Sequence, residues 1–342
     1  MNETTAGLSD AVADWLPRRT WRSDQWRAEA LATRKDGQRI SVVIPARNEE
    51  RTIGAIVTTV CECLMRTVPL VDELIVVDSR STDTTAATAA AAGATVVAQD
   101  DVLPALEPMN GKGDALWKGL AASTGDIVAF IDGDLRDFSA RFVTGLLGPL
   151  LTQPGVSYVK GFYQRPLVDG GGVDRDGGGR VTELVARPLL DFYWPDLAGF
   201  VQPLAGEYAG RRDVLAGVPF VVDYGVEVGH LIDLLHAYGL DALGQVDLGV
   251  RLHRHQPNHR LGHMSAQILL TVLNRLENTG RVIGATPPST TLAQFLTDDE
   301  PATGSDAGPG GGQVAGLGRR LVLTRMSPAE RPPLTTVEQA QP

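Results

Sequence analysis

The chain alternates short apolar runs with stretches of helical periodicity, and this alternation constrains its fold more than any other feature. The segment "RISVVIPARNEE" gives a β-branched run over 40–44 that stops at Pro45, and a helix is predicted from about Glu50 to Met65. "DELIVVDSRSTDTT" repeats the pattern, with an apolar strand over 74–77, a polar turn and an alanine-rich helix that ends at a glycine. "ATVVAQ" and "DIVAFI" are two further strands. Four strands alternating with helices predict an α/β fold, a doubly wound and mostly parallel sheet with helices on both faces.

Polar residues follow three of these strands at the point where each strand ends. They are "PARNEE" after the first strand, "DSRS" after the second and "DGD", residues 132–134, after the fourth. In open α/β sheets, ligands bind outside the carboxyl ends of the strands. The sequence therefore predicts a binding site at this edge of the sheet.

Asp132 and Asp134 flank a glycine at the end of a hydrophobic strand, and two explanations are open for them. An Asp-x-Asp at a strand end can hold Mg²⁺, which takes one or two carboxylates together with oxygens of a substrate diphosphate. Alternatively, Asp-Gly is a common turn pair, and the two carboxylates would then only accept bonds from local amides. The polar ends of the two other strands favour the metal.

Four of the six histidines lie in "RLHRHQPNHRLGH". His253 comes directly after the predicted strand "DLGV", so its neutral imidazole can complete the coordination begun by Asp134. Most of the other histidines are expected to lie in a polar surface loop.

Lys112 lies in "GKG", in a loop that enters a predicted helix. Glycines on either side allow a close approach of the backbone, and the ammonium group can meet a phosphate as a point charge. The alternative is an ordinary solvated lysine in a flexible loop.

The composition excludes several classes of partner. The chain has 41 acidic and 31 basic side chains and a net charge of -10, so a general attraction to nucleic acid or anionic lipid is not expected. No apolar run approaches the ~20 residues that cross a bilayer, and the amino-terminal sequence lacks the order of a signal peptide. We therefore predict a cytoplasmic protein that binds small molecules, with no nucleic acid and no membrane as partners.

The chain beyond residue 150 is predicted to elaborate the same domain, because no linker separates it. It contains a strand in "VSYVKGFYQRP", a mobile glycine-rich loop in "LVDGGGVDRDGGGR", helices in "VTELVARPLLDFYWP" and "YGVEVGHLID", a further strand, and a last amphipathic helix in "MSAQILLTVLNRLEN". Residues 1–38 are predicted to form a helical extension, residues 39–160 and 161–297 the two halves of one domain, and residues 298–342 a disordered tail.

Eight segments of the chain together resemble the glucosyl-3-phosphoglycerate synthases, actinobacterial retaining glycosyltransferases with a Rossmann-like GT-A fold. They follow one another in the family's order between about residues 39 and 275: "SVVIPARNEE", "VDELIVVDSRSTD", "GKGDALW", "GDIVAFIDGDL", "GGGRVTELVARPLL", "QPLAGEY", "YGVEVGHLID" and "LGVRLHRH". A lone Asp-x-Asp is a weak signal, whereas this ordered set is specific. The resemblance implies transfer of glucose from UDP-glucose to the 2-hydroxyl of 3-phosphoglycerate, with Mg²⁺ or Mn²⁺ as cofactor.

The resemblance also implies roles for individual residues, beginning with the donor. The nucleotide would be bound in the 39–160 half and by one residue beyond it, the set being Pro45, Ala46, Arg47, Glu49, Ser79, Lys112, Asp132 and Arg251. The metal would be held by Asp134 and His253, together with the UDP phosphates. The residues implied at the reacting sugar are Asp132, Leu204 through its carbonyl oxygen, and Glu227.

The acceptor would be bound in the 161–297 half, by Gly179, Arg180, Thr182 and His255. The helix that begins after "GGGR" offers amides to an anion in addition to the side chains. Two positions depart from the family pattern, which has "PALNEE" at the position of Arg47 and asparagine at the position of His255. A homodimer is also expected.

Three alternatives remain open at this point. A mannosyl-3-phosphoglycerate synthase, or a transferase with another nucleotide sugar or acceptor, would share much of the pattern. A sugar nucleotidyltransferase would share the sheet and the carboxylates, but "PARNEE" lacks the glycine-rich triphosphate loop expected there. A non-catalytic nucleotide-binding module would not need a second anion site.

Overall fold

The computed structural model describes residues 7–164, 167–169, 172–174, 179–251, 257–282, 286, 288–297, 311–314, 319–326 and 329–338. Each helix among these residues is too short or too polar to span a bilayer.

The strands of the described residues are, in chain order, β1 (Thr20–Arg22), β2 (Ile40–Ala46), β3 (Glu73–Asp78), β4 (Thr95–Ala98), β5 (Ile127–Phe130), β6 (Tyr158–Gln164), β7 (Leu167–Asp169), β8 (Gly172–Asp174), β9 (Tyr208–Arg211), β10 (Phe220–Val221), β11 (Leu243–Val250), β12 (Thr291–Thr297), β13 (Gly311–Val314), β14 (Arg319–Arg325) and β15 (Glu330–Arg331).

An 8-stranded sheet in the order β1-β11-β6-β9-β5-β2-β3-β4 forms the centre of the molecule. β9 runs antiparallel to its neighbours β5 and β6, and every other neighbouring pair in this sheet is parallel. The four strands predicted from the alternation are β2, β3, β4 and β5, which lie side by side. The predicted α/β fold with a mostly parallel sheet is confirmed.

The helices are, in chain order, α1 (Asp10–Arg18), α2 (Ala28–Arg34), α3 (Ile53–Val60), α4 (Thr85–Ala92), α5 (Lys112–Ala122), α6 (Arg141–Thr152), α7 (Arg187–Tyr193), α8 (Arg212–Ala216), α9 (Val226–Tyr238), α10 (Asn258–Asn278) and α11 (Leu334–Glu338). A π-helical segment, Cys61–Thr67, continues α3, and another, Thr182–Ala186, precedes α7. The helix predicted from about residue 50 to residue 65 is therefore confirmed, with a change of winding after Val60.

Apolar cores lie on both faces of the sheet. In β5, Val128 and Phe130 belong to one core, while Ile127 and Ala129 belong to the other. Successive strand residues point to opposite faces, so a strand that is covered on both faces is a continuous apolar run. Each large apolar side chain that is fully buried contributes about 1.5–3 kcal/mol, and this burial fixes where the polar strand ends lie.

The amino-terminal segment is part of the main sheet, which corrects its prediction as a helical extension. Thr20 to Arg22 pair in parallel with β11 and form the edge of the sheet. Trp15 on α1 is buried, and its Nε1 donates a hydrogen bond of 2.9 Å to the carbonyl oxygen of Leu243. Pairing with a strand more than two hundred residues away leaves no local signal in the sequence.

The glycine-rich segment "LVDGGGVDRDGGGR" is not the irregular loop that was predicted, as far as it is described. β7 pairs with β8 in an antiparallel hairpin, in which Val168 is the register partner of Val173. β-branched residues favour strands, and here they outweigh the neighbouring glycines. Residues 170–171 and 175–178 lie outside the described part.

The prediction of a disordered tail from residue 298 is wrong for the described segments of that tail. β14 pairs with β12 and with β13, and β15 pairs with β10. Leu334 on α11 is buried. The strand pairing of the apolar run "LVL" and the buried Leu334 order these segments in spite of the glycines and prolines between them.

Candidate functional site

The polar ends of β2, β3 and β5 meet at one edge of the sheet, as predicted. These strands are adjacent in the order β5-β2-β3. The amide of Ser79, just beyond β3, donates a hydrogen bond of 2.8 Å to the carbonyl oxygen of Ala46 at the end of β2. Asp132 and Asp134 follow β5. The structure thus brings the predicted nucleotide-binding and metal-binding segments together.

The loops after β2 and β3 are bonded to each other. The amide of Asn48 donates to Ser81 Oγ at 3.0 Å, and the amide of Thr82 donates to Asn48 Oδ1 at 2.8 Å. Asn48 and Arg80 have φ of 58° and 59°, in the left-handed region that asparagine tolerates better than most residues. These two loops contain three of the predicted nucleotide residues, Arg47, Glu49 and Ser79, of which Arg47 is exposed, and Pro45 lies at the end of β2.

Six charged side chains form what we call the strand-end cluster: Lys112, Asp132, Asp134, Glu207, Glu227 and Arg251. They come from the starts of α5 and α9 and from the segments that follow β5, precede β9 and follow β11. Five of the six were predicted as site residues from the sequence. The sixth, Glu207, was not.

Lys112 is the first residue of α5 and forms ion pairs with two carboxylates. Its Nζ lies 2.7 Å from Asp132 Oδ1 and 3.0 Å from Glu227 Oε1. Burial lowers the pKa of Lys112, but these two negative charges outweigh burial and hold the pKa well above its usual value. Lys112 is therefore a permanent cation at the end of β5.

The glycines of "GKG" lie close to backbone carbonyl oxygens of the chain itself. A Cβ on Gly113 would lie 1.7 Å from the carbonyl oxygen of Val221, and one on Gly111 would lie 2.2 Å from the carbonyl oxygen of Val222. Gly111 also has φ of +117°. The close approach that the glycines allow is therefore to the protein's own backbone between β10 and α9, and it sets the position of Lys112.

Arg251 follows β11 and bonds to three carboxylates. Its Nη1 lies 2.7 Å from Glu207 Oε1 and 3.3 Å from Asp132 Oδ2, and its Nη2 lies 2.7 Å from Asp134 Oδ1. Nη1 also donates to the Tyr163 hydroxyl at 2.7 Å. Burial lowers the pKa of Arg251, but Glu207 and the other anions raise it well above its usual value.

Asp132 and Glu207 differ in the balance between burial and charge. Burial raises the pKa of Asp132, but Lys112 and Arg251 hold it well below its usual range. Glu207 is completely buried, and burial keeps its pKa above the usual value in spite of Arg251. The sequence signal for this buried carboxylate was a single charged residue in "LAGEYAG", a run that otherwise contains small and apolar residues.

A second buried cation, which was also not predicted, lies in β6 near the strand-end cluster. Lys160 Nζ donates to the Tyr158 hydroxyl at 3.3 Å and lies 5.2 Å from the ring centroid of Tyr208. Burial lowers the pKa of Lys160 to about 8, although the charge of Glu227 opposes this. The neighbouring His230 packs against Tyr208, and burial lowers its pKa to about 3, so it is neutral.

The predicted metal ligands are only partly within the described residues. Asp134 is 56% exposed, and its carboxylate is therefore open to a ligand from solvent. His253 and His255 lie in 252–256, outside the described part, and the pairing of His253 with Asp134 stays a prediction. No group of three His, Cys, Asp or Glu side chains suited to a metal occurs within the described ranges.

The predicted sugar and acceptor residues lie on separate segments, and of these the segment of Leu204 contacts the strand-end cluster. Leu204 precedes Gly206, on which a Cβ would lie 2.4 Å from Lys112 Nζ. Gly179 has φ of +81° and leads into the helix that contains the buried Thr182. Arg180 Nη1 donates to Asn258 Oδ1 at 2.8 Å. This bond ties the predicted acceptor segment to the start of α10, beside the residues 252–256.

Comparison with known sequences places the chain among glycosyltransferases. The sequence model of glycosyl transferase family 2 matches residues 41–170. The glucosyl-3-phosphoglycerate synthase of Mycolicibacterium smegmatis is 47% identical over 323 residues, which are 94% of this chain and 98% of the relative.

Solved structures of similar proteins cover nearly the whole chain. The mannosyl-3-phosphoglycerate synthase from Rubrobacter xylanophilus superposes with a TM-score of 0.83 at 38% identity, over 97% of this chain and 99% of that chain. The glucosyl-3-phosphoglycerate synthase from Mycobacterium tuberculosis in complex with Mn²⁺, UDP-glucose and phosphoglyceric acid gives 0.76 at 42% identity, with coverages of 91% and 95%. The same protein with Mn²⁺, UDP and glucosyl-3-phosphoglycerate gives 0.78 at 41% identity, with coverages of 93% and 99%.

Proposed function

The chain belongs to the family of glucosyl-3-phosphoglycerate synthases, and we propose that it transfers glucose from UDP-glucose to the 2-hydroxyl of 3-phosphoglycerate. Its fold is that of the GT-A glycosyltransferases. The observation that carries the proposal is 47% identity to a synthase over 98% of that protein's length. The strand-end cluster lies where such a sheet binds its ligand, at the carboxyl ends of β2, β3 and β5.

The donor nucleotide is bound along the loops after β2 and β3. The backbone of Pro45 and Ala46, with the side chains of Arg47, Glu49 and Ser79, frames the uridine. The mutual hydrogen bonds of the two loops support this proposal, because they fix the site before the nucleotide arrives. Asp132, at the end of the adjacent β5, contacts the ribose or the sugar.

The leaving diphosphate is stabilised by Lys112 and Arg251. Both side chains are held as cations in a largely buried place, where an interaction with developing negative charge is stronger than in water. Lys112 pairs with Asp132 and Glu227, and Arg251 pairs with Glu207. When the donor binds, its phosphate oxygens compete with these carboxylates for the two cations.

Asp134, together with His253, fits a divalent cation of the Mg²⁺ or Mn²⁺ type. The carboxylate is half exposed, and a single carboxylate plus diphosphate oxygens is a usual donor set for Mg²⁺. A bound divalent cation would supply positive charge to the diphosphate as it leaves.

The charges of the strand-end cluster explain why a divalent cation is needed for the diphosphate to bind. Four carboxylates of the strand-end cluster face Lys112 and Arg251, with Lys160 buried nearby. Negative groups therefore outnumber positive ones by one, and this balance disfavours a diphosphate.

The sugar is held between the segment of Leu204 and the start of α9. The carbonyl oxygen of Leu204 and the carboxylate of Glu227 contact the sugar, and Glu227 is held in place by its bond to Lys112 Nζ. No side chain of the described site is assigned as a covalent nucleophile. The acceptor hydroxyl attacks C1 on the face from which UDP leaves, so the configuration is retained.

The acceptor is bound by Gly179, Arg180, Thr182 and His255. The hydrogen bond between Arg180 and Asn258 supports this, because it joins Arg180 to the first residue of α10, which follows His255 by three positions in the sequence. The phosphate of 3-phosphoglycerate then pairs with Arg180, and its hydroxyl lies toward the donor.

UDP release assays with a panel of donors and acceptors test this function. We expect turnover with UDP-glucose and 3-phosphoglycerate and none with unphosphorylated glycerate, because each lost charge-assisted hydrogen bond costs ~1.5–3 kcal/mol. Arg180→Ala should raise the KM for 3-phosphoglycerate much more than the KM for UDP-glucose. Equal use of glycerate and 3-phosphoglycerate would contradict the acceptor assignment.

Mannosyl transfer is the second candidate, because the mannosyl-3-phosphoglycerate synthase of Rubrobacter xylanophilus superposes with a TM-score of 0.83. GDP-mannose in the same assay separates the two. Preference for GDP-mannose over UDP-glucose would assign the chain to mannosyl transfer, with Arg47 as the residue that alters base contacts.

The protein is proposed to act as a homodimer in the cytoplasm. Leu184 and Phe192, on the helical segment that includes α7, are 74% and 79% exposed, and such large apolar side chains in one segment favour an interface. Sedimentation should give the mass of two chains for the wild type and of one chain for a Leu184→Glu, Phe192→Glu variant. A monomeric wild type would contradict the dimer.

A further inference from the structure

A carboxy-terminal strap, which we define as residues 329–338, is bonded to the start of α5. Arg331 and Asp114 are 4% and 1% exposed, and Arg331 Nε lies 2.5 Å from Asp114 Oδ1. Asp114 is two residues after Lys112, in the first turn of the same helix. A buried ion pair therefore joins the last described segment of the chain to the helix turn that contains Lys112.

Other contacts of the strap also fall on α5 and on the loop that precedes it. Arg331 Nη2 donates to the carbonyl oxygen of Glu107 at 2.7 Å, and its guanidinium lies 5.4 Å from the ring centroid of Trp117. Trp117 Nε1 in turn donates to the carbonyl oxygen of Pro332 at 2.9 Å. The strap thus holds α5 from its preceding loop to its middle.

The strap also pairs with the segment that leads to Glu227. β15 pairs with β10, and the amide of Val222 donates to the carbonyl oxygen of Ala329 at 3.1 Å. The carbonyl oxygen of Val222 accepts the amide of Asp114 at 3.2 Å. The same few residues therefore contact both α5 and the backbone that enters α9, the helices whose first turns contain Lys112 and Glu227.

We propose that Arg331 is a positioning residue for the transfer reaction, which fixes Lys112 against Glu227 through its ion pair with Asp114. This proposal rests on the proposed function, because it assigns Lys112 to the leaving diphosphate. Lys112 Nζ lies 3.0 Å from Glu227 Oε1, and this pairing depends on how α5 lies against the start of α9. Without Arg331, Asp114 is a buried carboxylate whose remaining hydrogen-bonded side chain in the described part of the chain is Gln99, while the charges of Lys118 and Arg80 also act on it. A buried charge that has lost its ion-pair partner draws in water or moves, and here the first turn of α5 moves with it.

A double-mutant cycle between the strap and the lysine tests the proposal. Arg331→Met should lower kcat/KM for UDP-glucose about tenfold or more in the wild-type background, since small misplacements of catalytic groups cost up to about 100-fold. In a Lys112→Met background the same change should lower it less than about threefold, because the group that Arg331 positions is absent. The KM for 3-phosphoglycerate should stay the same. Arg325→Met, the same chemical change at an exposed arginine of β14, is the matched control and should leave kcat/KM unchanged.

Equal losses from Arg331→Met in both backgrounds would overturn the proposal, because a merely structural effect does not depend on Lys112. If Arg331→Met does not fold, Arg331→Gln, which removes the positive charge but can still donate a hydrogen bond to Asp114, is used in the same cycle, with the same expectations. The cycle is also measured on UDP affinity by calorimetry, which needs no turnover. A wild type that fails to transfer glucose would refute the proposed function. The role of Arg331 would still be tested by UDP affinity, where a larger effect of Arg331→Met with Lys112 present than without it supports the proposal.

Discussion

Asp134 differs from the other carboxylates of the strand-end cluster in its exposure. It is 56% exposed, whereas Glu207 is completely buried and Asp132 and Glu227 are held by Lys112. A carboxylate that is open to solvent and has one bond to Arg251 can bind a metal without breaking the buried pairs. The same exposure means that it contributes little to the stability of the fold.

Replacing Asp134 by alanine should abolish transfer and leave the protein folded. We expect kcat to fall about 100-fold or more, as when one electrostatic group of an active site is removed. The free energy of unfolding should change by less than about 1 kcal/mol, as for the loss of one partly exposed ion pair. Turnover assays and urea unfolding measure the two effects, with Asp137→Ala as the exposed control. Near-normal activity of the variant, together with insensitivity to EDTA, would refute the metal site.

Lys160 gives the site a pH dependence whose sign follows from its lowered pKa. The pKa is about 8 in the folded chain, and an unfolded lysine has about 10.4. Between these values the unfolded chain binds more protons, so the contribution of Lys160 to stability rises with pH in this window. Well below pH 8, Lys160 is fully protonated in the folded chain, so the full free-energy cost of burying its charge lowers the stability.

The difference in unfolding free energy between wild type and Lys160→Met isolates this contribution. We expect the wild type to gain about 1 kcal/mol relative to the variant between pH 7 and pH 9. Urea unfolding at both pH values measures the difference. If the difference in unfolding free energy between wild type and variant stays constant from pH 7 to pH 9, the pKa of Lys160 is not near 8.

In α5, a glycine sets the position of Lys112, a residue proposed to bind the diphosphate. Gly113 lies against the carbonyl oxygen of Val221 because α5 packs on the backbone that leads to α9. The helix therefore cannot keep its place with a larger residue at this position, and Lys112 would move with it.

Gly113→Ala should destabilise the chain and impair donor binding together. Its Cβ would lie 1.7 Å from a backbone oxygen, and such overpacking costs about 1–3 kcal/mol. In Gly54→Ala the nearest contact is a Thr88 methyl group at 3.0 Å, so this variant should lose less stability and keep its affinity for UDP. Melting temperature and UDP titration are the measurements. Equal behaviour of both variants would contradict this role of Gly113.

The elements that the sequence predicted are those with a local pattern. β2 to β5 and the helices between them follow from apolar periodicity, and the polar residues at their ends predicted Asp132, Asp134 and Ser79 as site residues. β1 and β15 are paired by partners far away in the chain, so no local pattern marks them. Glu207 and Lys160 were missed for the same reason, because only the assembled sheet shows that their charges lie together.

Over the whole molecule, the strand-end cluster carries more negative than positive groups, and the chain as a whole has a net charge of -10. A nucleotide diphosphate is itself an anion, so both the negative excess of the cluster and the negative net charge of the chain oppose its binding. A divalent cation reverses this balance locally. We therefore expect the site of β2, β3 and β5 to bind a nucleotide diphosphate only together with a metal.

Calorimetric titration of UDP into the wild-type chain, first with Mn²⁺ and then with EDTA, measures this metal dependence of nucleotide binding. With Mn²⁺ we expect saturable binding of one UDP per chain, competed by UDP-glucose. With EDTA the Kd should rise about 100-fold or more, which corresponds to a loss of about 2.7 kcal/mol. An unchanged Kd in EDTA would show that Lys112 and Arg251 bind the diphosphate without a metal, and metal-dependent binding would then be refuted.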